Sequence, residues 1–203
     1  MTFSIYKNIV FFGLLIALAY PVQAQFSEHH AIYTTTELSI GNYLGIDLNL
    51  NYIYEERYSF KIGYAGQLRK PRTQPTDFSS GLSGVFLFGL LNPYDKMDTY
   101  QLGVGKIYML NPAKTIRLNL SVGLGYTIIR EPENWQSAAS DGVGSNYTWD
   151  LDKVKTLSLI INPKIEFPLL NVVGFTVSPV LQVNKQRVYV GIGLGDMFGL
   201  LRK

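Results

Sequence analysis

The 203-residue chain has no cysteine. That excludes disulfides, thiolate nucleophiles, cysteine-ligated metals and an acylated lipoprotein cysteine. Histidine is nearly as scarce: His29 and His30 are the only two. Charge is thin, with 16% of residues being Asp, Glu, Lys or Arg, where a soluble domain carries about 25%. The net charge of +3 is too small and too scattered to attract a nucleic acid. Past the first two dozen residues no apolar run approaches the ~20 residues of a membrane-spanning helix, and neither internal repeats nor low-complexity tracts occur. What the chain does have is 14 Tyr, 19 Gly and long stretches in which apolar and polar residues alternate.

The first 24 residues read as a secretory signal peptide. Lys7 gives the positive start, residues 9–20 (IVFFGLLIALAY) the apolar segment, and Pro21-Val22-Gln23-Ala24 a break with small residues. The expected cut follows Ala24, leaving residues 25–203 as a single domain.

The clearest alternation runs from Leu44 to Tyr54. Leu44, Ile46, Leu48, Leu50, Tyr52 and Tyr54 fall on one face; Gly45, Asp47, Asn49 and Asn51 fall on the other. About eleven residues suit a tilted membrane strand and are long for a soluble one. Tyr58–Arg69 repeats the pattern, with Lys61, Gln67 and Arg69 on the polar face, and Ile116–Ile128 repeats it again around Arg117 and Asn119. A soluble barrel would turn its apolar face inward. Here the polar face carries the charges and the apolar face ends in Tyr, which fits a barrel with lipid outside.

Further strands are expected over 31–41, 100–110, 155–167, 175–183 and 188–198. A bulge near Gly105 would bring Lys106 out of the apolar phase of Leu102 and Val104. Gly41-Asn42-Tyr43 has turn chemistry, although the alternation also continues through it as one strand from 32 to 54. The count is eight strands with the turn and seven without. Even numbers are the rule for bacterial single-chain barrels, and eight strands put the short turns on one side and the long loops, 70–98 and 131–153, on the other.

Signal peptide, amphipathic strands and a closing strand rich in glycine and aromatics together resemble the small outer-membrane β-barrel superfamily, of the OmpA transmembrane-domain and OmpX type. The resemblance spans nearly the whole chain after the signal peptide and rests on pattern, not on a diagnostic motif. It implies an all-β, eight-stranded antiparallel transmembrane barrel of up-and-down order, in an outer membrane, with lipid around it and no cofactor. Many such barrels end on an aromatic residue; this chain ends Leu200-Leu201-Arg202-Lys203, and Phe198 would take that part.

In an eight-stranded barrel the interior is just wide enough for side chains. The expected lumen network is Glu37, Asp47, Asn49, Asn51, Lys61, Arg69, Arg117, Asn162, Lys164 and Glu166. Acids and bases are both present, as ion pairing in a dry interior requires. With Ile40 opposite Leu44, Glu37 faces Asp47; a neighbouring base such as Lys61 or Arg69, a shared proton, a bound cation or a different register would relieve the repulsion. Some barrels of this kind modify lipid A with His and Ser. His29 and His30 precede the first strand with no strand-fixed serine partner, so no catalytic residue and no metal site are assigned.

The loops hold the contact candidates: Val85, Phe86, Phe88 and Leu90 within the apolar stretch 82–91, and Trp135 and Trp149, which with Tyr126 and Tyr147 suit an outer aromatic girdle. The expectation is a monomeric, non-enzymatic protein with a structural or surface-interaction role. An extracellular partner would meet loops 70–98 and 131–153. The alternatives are a narrow gated channel lined by the same lumen groups, or a lipid-modifying enzyme.

Overall fold

The computed structural model describes residues 29–82, 92–139 and 142–201. The signal segment with its cut, and the candidates Val85, Phe86, Phe88 and Leu90, lie outside the described residues. Among the described residues nine strands follow in order: β1 (Ala31–Gly41), β2 (Leu44–Tyr54), β3 (Tyr58–Arg69), β4 (Asp95–Met109), β5 (Arg117–Ser137), β6 (Tyr147–Ile161), β7 (Lys164–Phe167), β8 (Val173–Asn184) and β9 (Val188–Leu200). Each pairs antiparallel with its neighbours, and β1 pairs with β9 from Ile32↔Leu200 to Gly41↔Gly191, closing the ring. β6 and β7 are two halves of one wall strand: both pair with β5 on one side and β8 on the other. The break falls at Asn162-Pro163, where proline has no N–H to give the ladder. The result is an eight-stranded antiparallel transmembrane β-barrel.

The turn after Gly41 is real, pairing Ile40 with Leu44. The Asn42 side chain pins this turn to the last strand: its amide donates to the Val188 carbonyl at 2.7 Å and its oxygen accepts from the Val190 N–H at 3.0 Å. Gly41 passes so close to the Val190 carbonyl that a Cβ would collide with backbone. Turns 55–57, 110–116 and 168–172 lie at the end where the described chain starts and finishes, here the near end. The turn at 42–43, the turn at 185–187 and the connections 70–94 and 138–146 lie at the far end.

The wall is apolar outside and polar inside. Leu38, Leu124 and Leu157 are 64%, 68% and 74% exposed, while Thr35, Asn51, Gln101 and Ser178 between such positions are buried. Only a hydrocarbon surround makes that arrangement favourable. Inside, an apolar cluster closes each end of the polar lumen: Ala31, Tyr33, Ile53, Ile107, Met197 and Leu201 at the near end, and Tyr43, Met97, Ile129, Val180 and Tyr189 at the far end.

Two expectations about the strands need correction. β4 carries no bulge at Gly105, which pairs in register with Ser59 and Ser121. Lys106 simply points outward near the strand's end, where its long stem can lift the ammonium toward the interface; its Nζ sits 5.3 Å from the centre of the Tyr108 ring. Second, residues 131–153 are mostly strand. β5 leaves β4 after Arg130 and continues with β6 alone, from Glu131↔Asp152 to Ser137↔Tyr147, with a register shift between Glu133 and Gln136. This hairpin rises past the barrel, so the connection shrinks to 138–146. The other long connection is 70–94, because β4 already starts at Asp95.

Candidate functional site

The lumen is a stack of three polar layers. Nearest the near end, Glu166 of β7 gathers Arg117 (Nε donating at 2.5 Å), Tyr33 (hydroxyl donating at 2.9 Å) and Asn119 (amide donating at 3.1 Å). The Arg117 guanidinium also lies 5.1 Å from the centre of the Tyr33 ring and donates to the Leu201 carbonyl at 3.2 Å.

In the middle layer Glu37 does face Asp47 across β1 and β2. The relief comes from the far side of the ring: Lys164 donates to Glu37 at 2.6 Å, with Thr176 at 2.6 Å and Ser178 at 2.8 Å. Gly195 lets β9 approach β1 closely at this point, since a Cβ there would meet the Thr36 carbonyl and then the Cγ of Glu37. Asp47 accepts from Asn49 at 2.7 Å and Gln101 at 2.8 Å. Lys61 donates to Asn162 at 3.0 Å, and the Asn51 amide reaches Thr35 at 3.4 Å. Above this, the Gln182 amide is ringed by Thr99, Thr127 and Ser158 at 3.0–3.2 Å.

Arg69 sits apart from these layers, at the far mouth. Its Nε donates to Asp95 at 2.8 Å, and its guanidinium covers the Tyr43 ring at 4.4 Å. The Tyr43 hydroxyl donates to the same carboxylate at 3.2 Å. Arg187 stands 3.8 Å from Asp95 and pairs with Glu131. Burial, and then the Asp95 carboxylate, push the Tyr43 phenol up to about 12. The Arg187 guanidinium is held above its ordinary value by Glu131 and Asp95, against the opposing pull of burial. Asp95, Gln101, Thr176, Ser178 and Arg187 were not among the sequence candidates. Gln101, Thr176 and Ser178 sit in the polar phase of their strands, which is the signal that marks them. Asp95 and Arg187 fall in turns by pattern, where phase says nothing.

Outside the wall, Trp135 and Trp149 occupy the protruding part of the β5–β6 hairpin. Their rings lie 5.5 Å apart, and Phe78 from the 70–94 connection packs on them at 5.6 and 6.3 Å. Tyr147 joins at 6.5 Å from both Phe78 and Trp135, and its hydroxyl donates to Asp77 at 2.9 Å. The Trp135 indole donates to Thr73 at 3.1 Å. Three of these four aromatics thus belong to a half-exposed cluster on the hairpin and one to the connection beside it, while Tyr126 alone of the expected girdle stays on the wall.

At the near mouth a cavity of about 340 Å³ is lined by His29, His30, Glu56, Lys114 and Arg117. His30 shares a 2.8 Å hydrogen bond with the Tyr52 hydroxyl and stacks on its ring. Among the described residues no group of three or more His, Cys, Asp and Glu side chains is placed to hold a metal. An apolar groove of about 620 Å³ on the outer wall, lined by Ile62, Leu102, Val104, Val122 and Leu124 among others, faces the hydrocarbon.

No protein-family description matches the chain, and no curated protein does. Solved structures do. The N-terminal β-barrel domain of Pseudomonas aeruginosa OprF aligns with a TM-score of 0.54 at 11% identity, covering 84% of this chain and 97% of that one. Neisserial surface protein A aligns at 0.47 and 9% identity, covering 84% and 96%. Ail, the attachment invasion locus protein of Yersinia pestis, aligns at 0.46 and 12% identity, covering 83% and 95%. The fold is that of the small eight-stranded outer-membrane barrels.

Proposed function

We propose, with that shared fold as the premise, that this chain is exported, cut after Ala24 and inserted in an outer membrane, where it serves as a structural and surface-interaction protein. The far end faces the exterior. The working surface is the Phe78–Trp135–Tyr147–Trp149 cluster on the β5–β6 hairpin, together with the 70–94 connection and its apolar residues Val85, Phe86, Phe88 and Leu90. The lumen network holds the barrel in shape and does not react or transport.

One observation carries this reading. The interior is spent on internal bonds and stoppered by an apolar cluster at each end, while a strand pair is extended past the wall to hold half-exposed aromatics. Rigid aromatic groups outside the membrane supply contact area at small entropic cost.

The experiment compares intact cells displaying the wild type with cells displaying a Trp135→Ala/Trp149→Ala variant, for binding to host matrix and to other cells. Loss of binding with unchanged barrel content supports the reading; equal binding removes the aromatic surface from it. Planar-bilayer recording completes the test. Steady conductance that disappears in Lys164→Met would replace this reading with that of a narrow channel. N-terminal sequencing should find Gln25 first.

A further inference from the structure

The outward residues of β9 run Val188, Val190, Ile192, Leu194, Asp196 and Phe198. Asp196 is therefore an exposed carboxyl group on the lipid-facing wall. It lies directly opposite Thr36 of β1 and Phe175 of β8, both also outward. The end of β9 at Leu200 is four positions further on. That is roughly 13 Å of strand, or about 10 Å of height at a tilt of ~40°, within an apolar band ~25 Å tall. On that scale Asp196 falls within the apolar band, two positions further from the strand's end than Phe198.

The other outward carboxylate of the barrel wall among the described residues finds partners in the chain. Asp98, near the far rim, accepts from the Tyr64 hydroxyl at 2.5 Å and pairs with Arg130. Among the described residues no hydrogen bond or ion pair reaches the Asp196 side chain. An ionisable group in a membrane without an internal partner calls for an external one.

We propose that the β1–β9 wall is a two-fold interface with a second copy of this chain, in which the Thr36 hydroxyl of each copy donates to Asp196 of the other. Asp196 and Thr36 stand side by side on adjacent strands, offset in height by roughly 3 Å at that tilt. A two-fold axis along the membrane normal exchanges left and right, so it sets Asp196 of one copy against Thr36 of the other, twice. An isologous interface requires this self-complementarity. Both groups are available: Thr36 makes no side-chain bond among the described residues, whereas neighbouring Thr34 spends its hydroxyl on the Phe198 carbonyl at 3.1 Å. Around the pair the wall offers exposed Leu38, Ile40, Ile192 and Leu194. None of the outward residues of β1, β2, β8 or β9 is basic, so no side chain of the same wall neutralises the carboxyl group. The dimer departs from the monomer that composition and pattern lead one to expect.

The chain's lack of cysteine gives a direct test in proteoliposomes. A tagged Asp196→Cys chain is mixed with a differently tagged Thr36→Cys chain; each lacks one group, so one Thr36–Asp196 bond survives. The expected result is a disulfide joining the two tags, well above that of a Leu124→Cys control on the opposite wall. Cross-linking no stronger than the control means collision only and overturns the proposal. Single-molecule subunit counting in the same membranes is the second arm. Asp196→Leu should weaken dimerisation about tenfold, as loss of two membrane-buried hydrogen bonds implies, and Asp196→Asn should keep it. A heat-modifiable band confirms that each variant is folded. A wild type that stays monomeric as lipid is withdrawn, or a leucine variant that dimerises as well as wild type, also overturns it.

Discussion

Glu37 of β1 and Lys164 of β7 meet at 2.6 Å in the middle of the barrel, each with 1% of its side chain exposed, although their strands are not neighbours. The pair spans the lumen and ties together walls that share no ladder. Removing one member of a buried pair leaves the other charged and uncompensated, typically at about 3–5 kcal/mol. Lys164→Met should show that loss in urea unfolding followed by gel mobility, because it also leaves Glu37 and Asp47 facing each other. The double variant Glu37→Met/Lys164→Met should recover at least half of it. A single variant as stable as wild type would mean that the Thr176 and Ser178 hydroxyls suffice for the carboxylate.

The lipid face is tested from outside. Leu48→Arg should cost about 2–4 kcal/mol at mid-membrane depth. Leu120→Arg should cost less, about 0–1 kcal/mol plus a small like-charge penalty, since Leu120 lies opposite Lys106 near the end of the wall, where the cost of a charge falls. A cost near zero at Leu48 would show the faces to be reversed.

Alkaline pH reads the far mouth. Tyr43 is held protonated to about 12 by burial and the Asp95 carboxylate, against an unfolded value of ~10. A group whose pKa is raised by folding contributes its stability below the unfolded value and gives it up as pH climbs through the folded one. The stability difference between wild type and Tyr43→Phe should therefore be flat below pH ~10 and change between ~10 and about 12. Unfolding midpoints across that window check it. A difference independent of pH would place the phenol's titration outside the mouth.

The aromatic cluster should hold the 70–82 segment against the hairpin. Each aromatic pair is worth about 0.5–1.5 kcal/mol beyond its area, and Phe78 contacts both tryptophans. Phe78→Ala should speed proteolytic cleavage within 72–80 by about fivefold or more, if opening is fast relative to cutting. Cleavage at an unchanged rate would show that Thr73 and Asn146, which bond across the same contact, carry the attachment.

Much of this architecture is written in the alternation. β2 and β3 were legible residue by residue, because lipid demands an apolar side chain at every second place and a two-residue period fixes the facing. The Glu37–Asp47 opposition followed from one turn. What alternation cannot say is which distant strand reaches across the lumen, so Lys61 and Arg69 looked like the relief that Lys164 supplies. Beyond the membrane nothing enforces the pattern, and the strands at 131–137 and 147–153 read as loop. Asp196 was visible in principle: carrying the phase of Leu194 two residues further puts a carboxylate where leucine would be expected.

The closure of the ring between β1 and β9 sets the order of events when this chain folds. Ile32 pairs with Leu200, and Glu37 takes hydroxyl donors from Thr176 and Ser178. Each of these contacts joins the two extremes of the described chain. No fragment that stops before Lys164 can therefore hold its first strand's acid neutralised, and none short of the last strand can leave its edges paired. Assembly is bound to be all-or-none and slow, as high contact order dictates, and a chain whose synthesis stops before β8 should be cleared as unfolded, with no half-barrel persisting in its place.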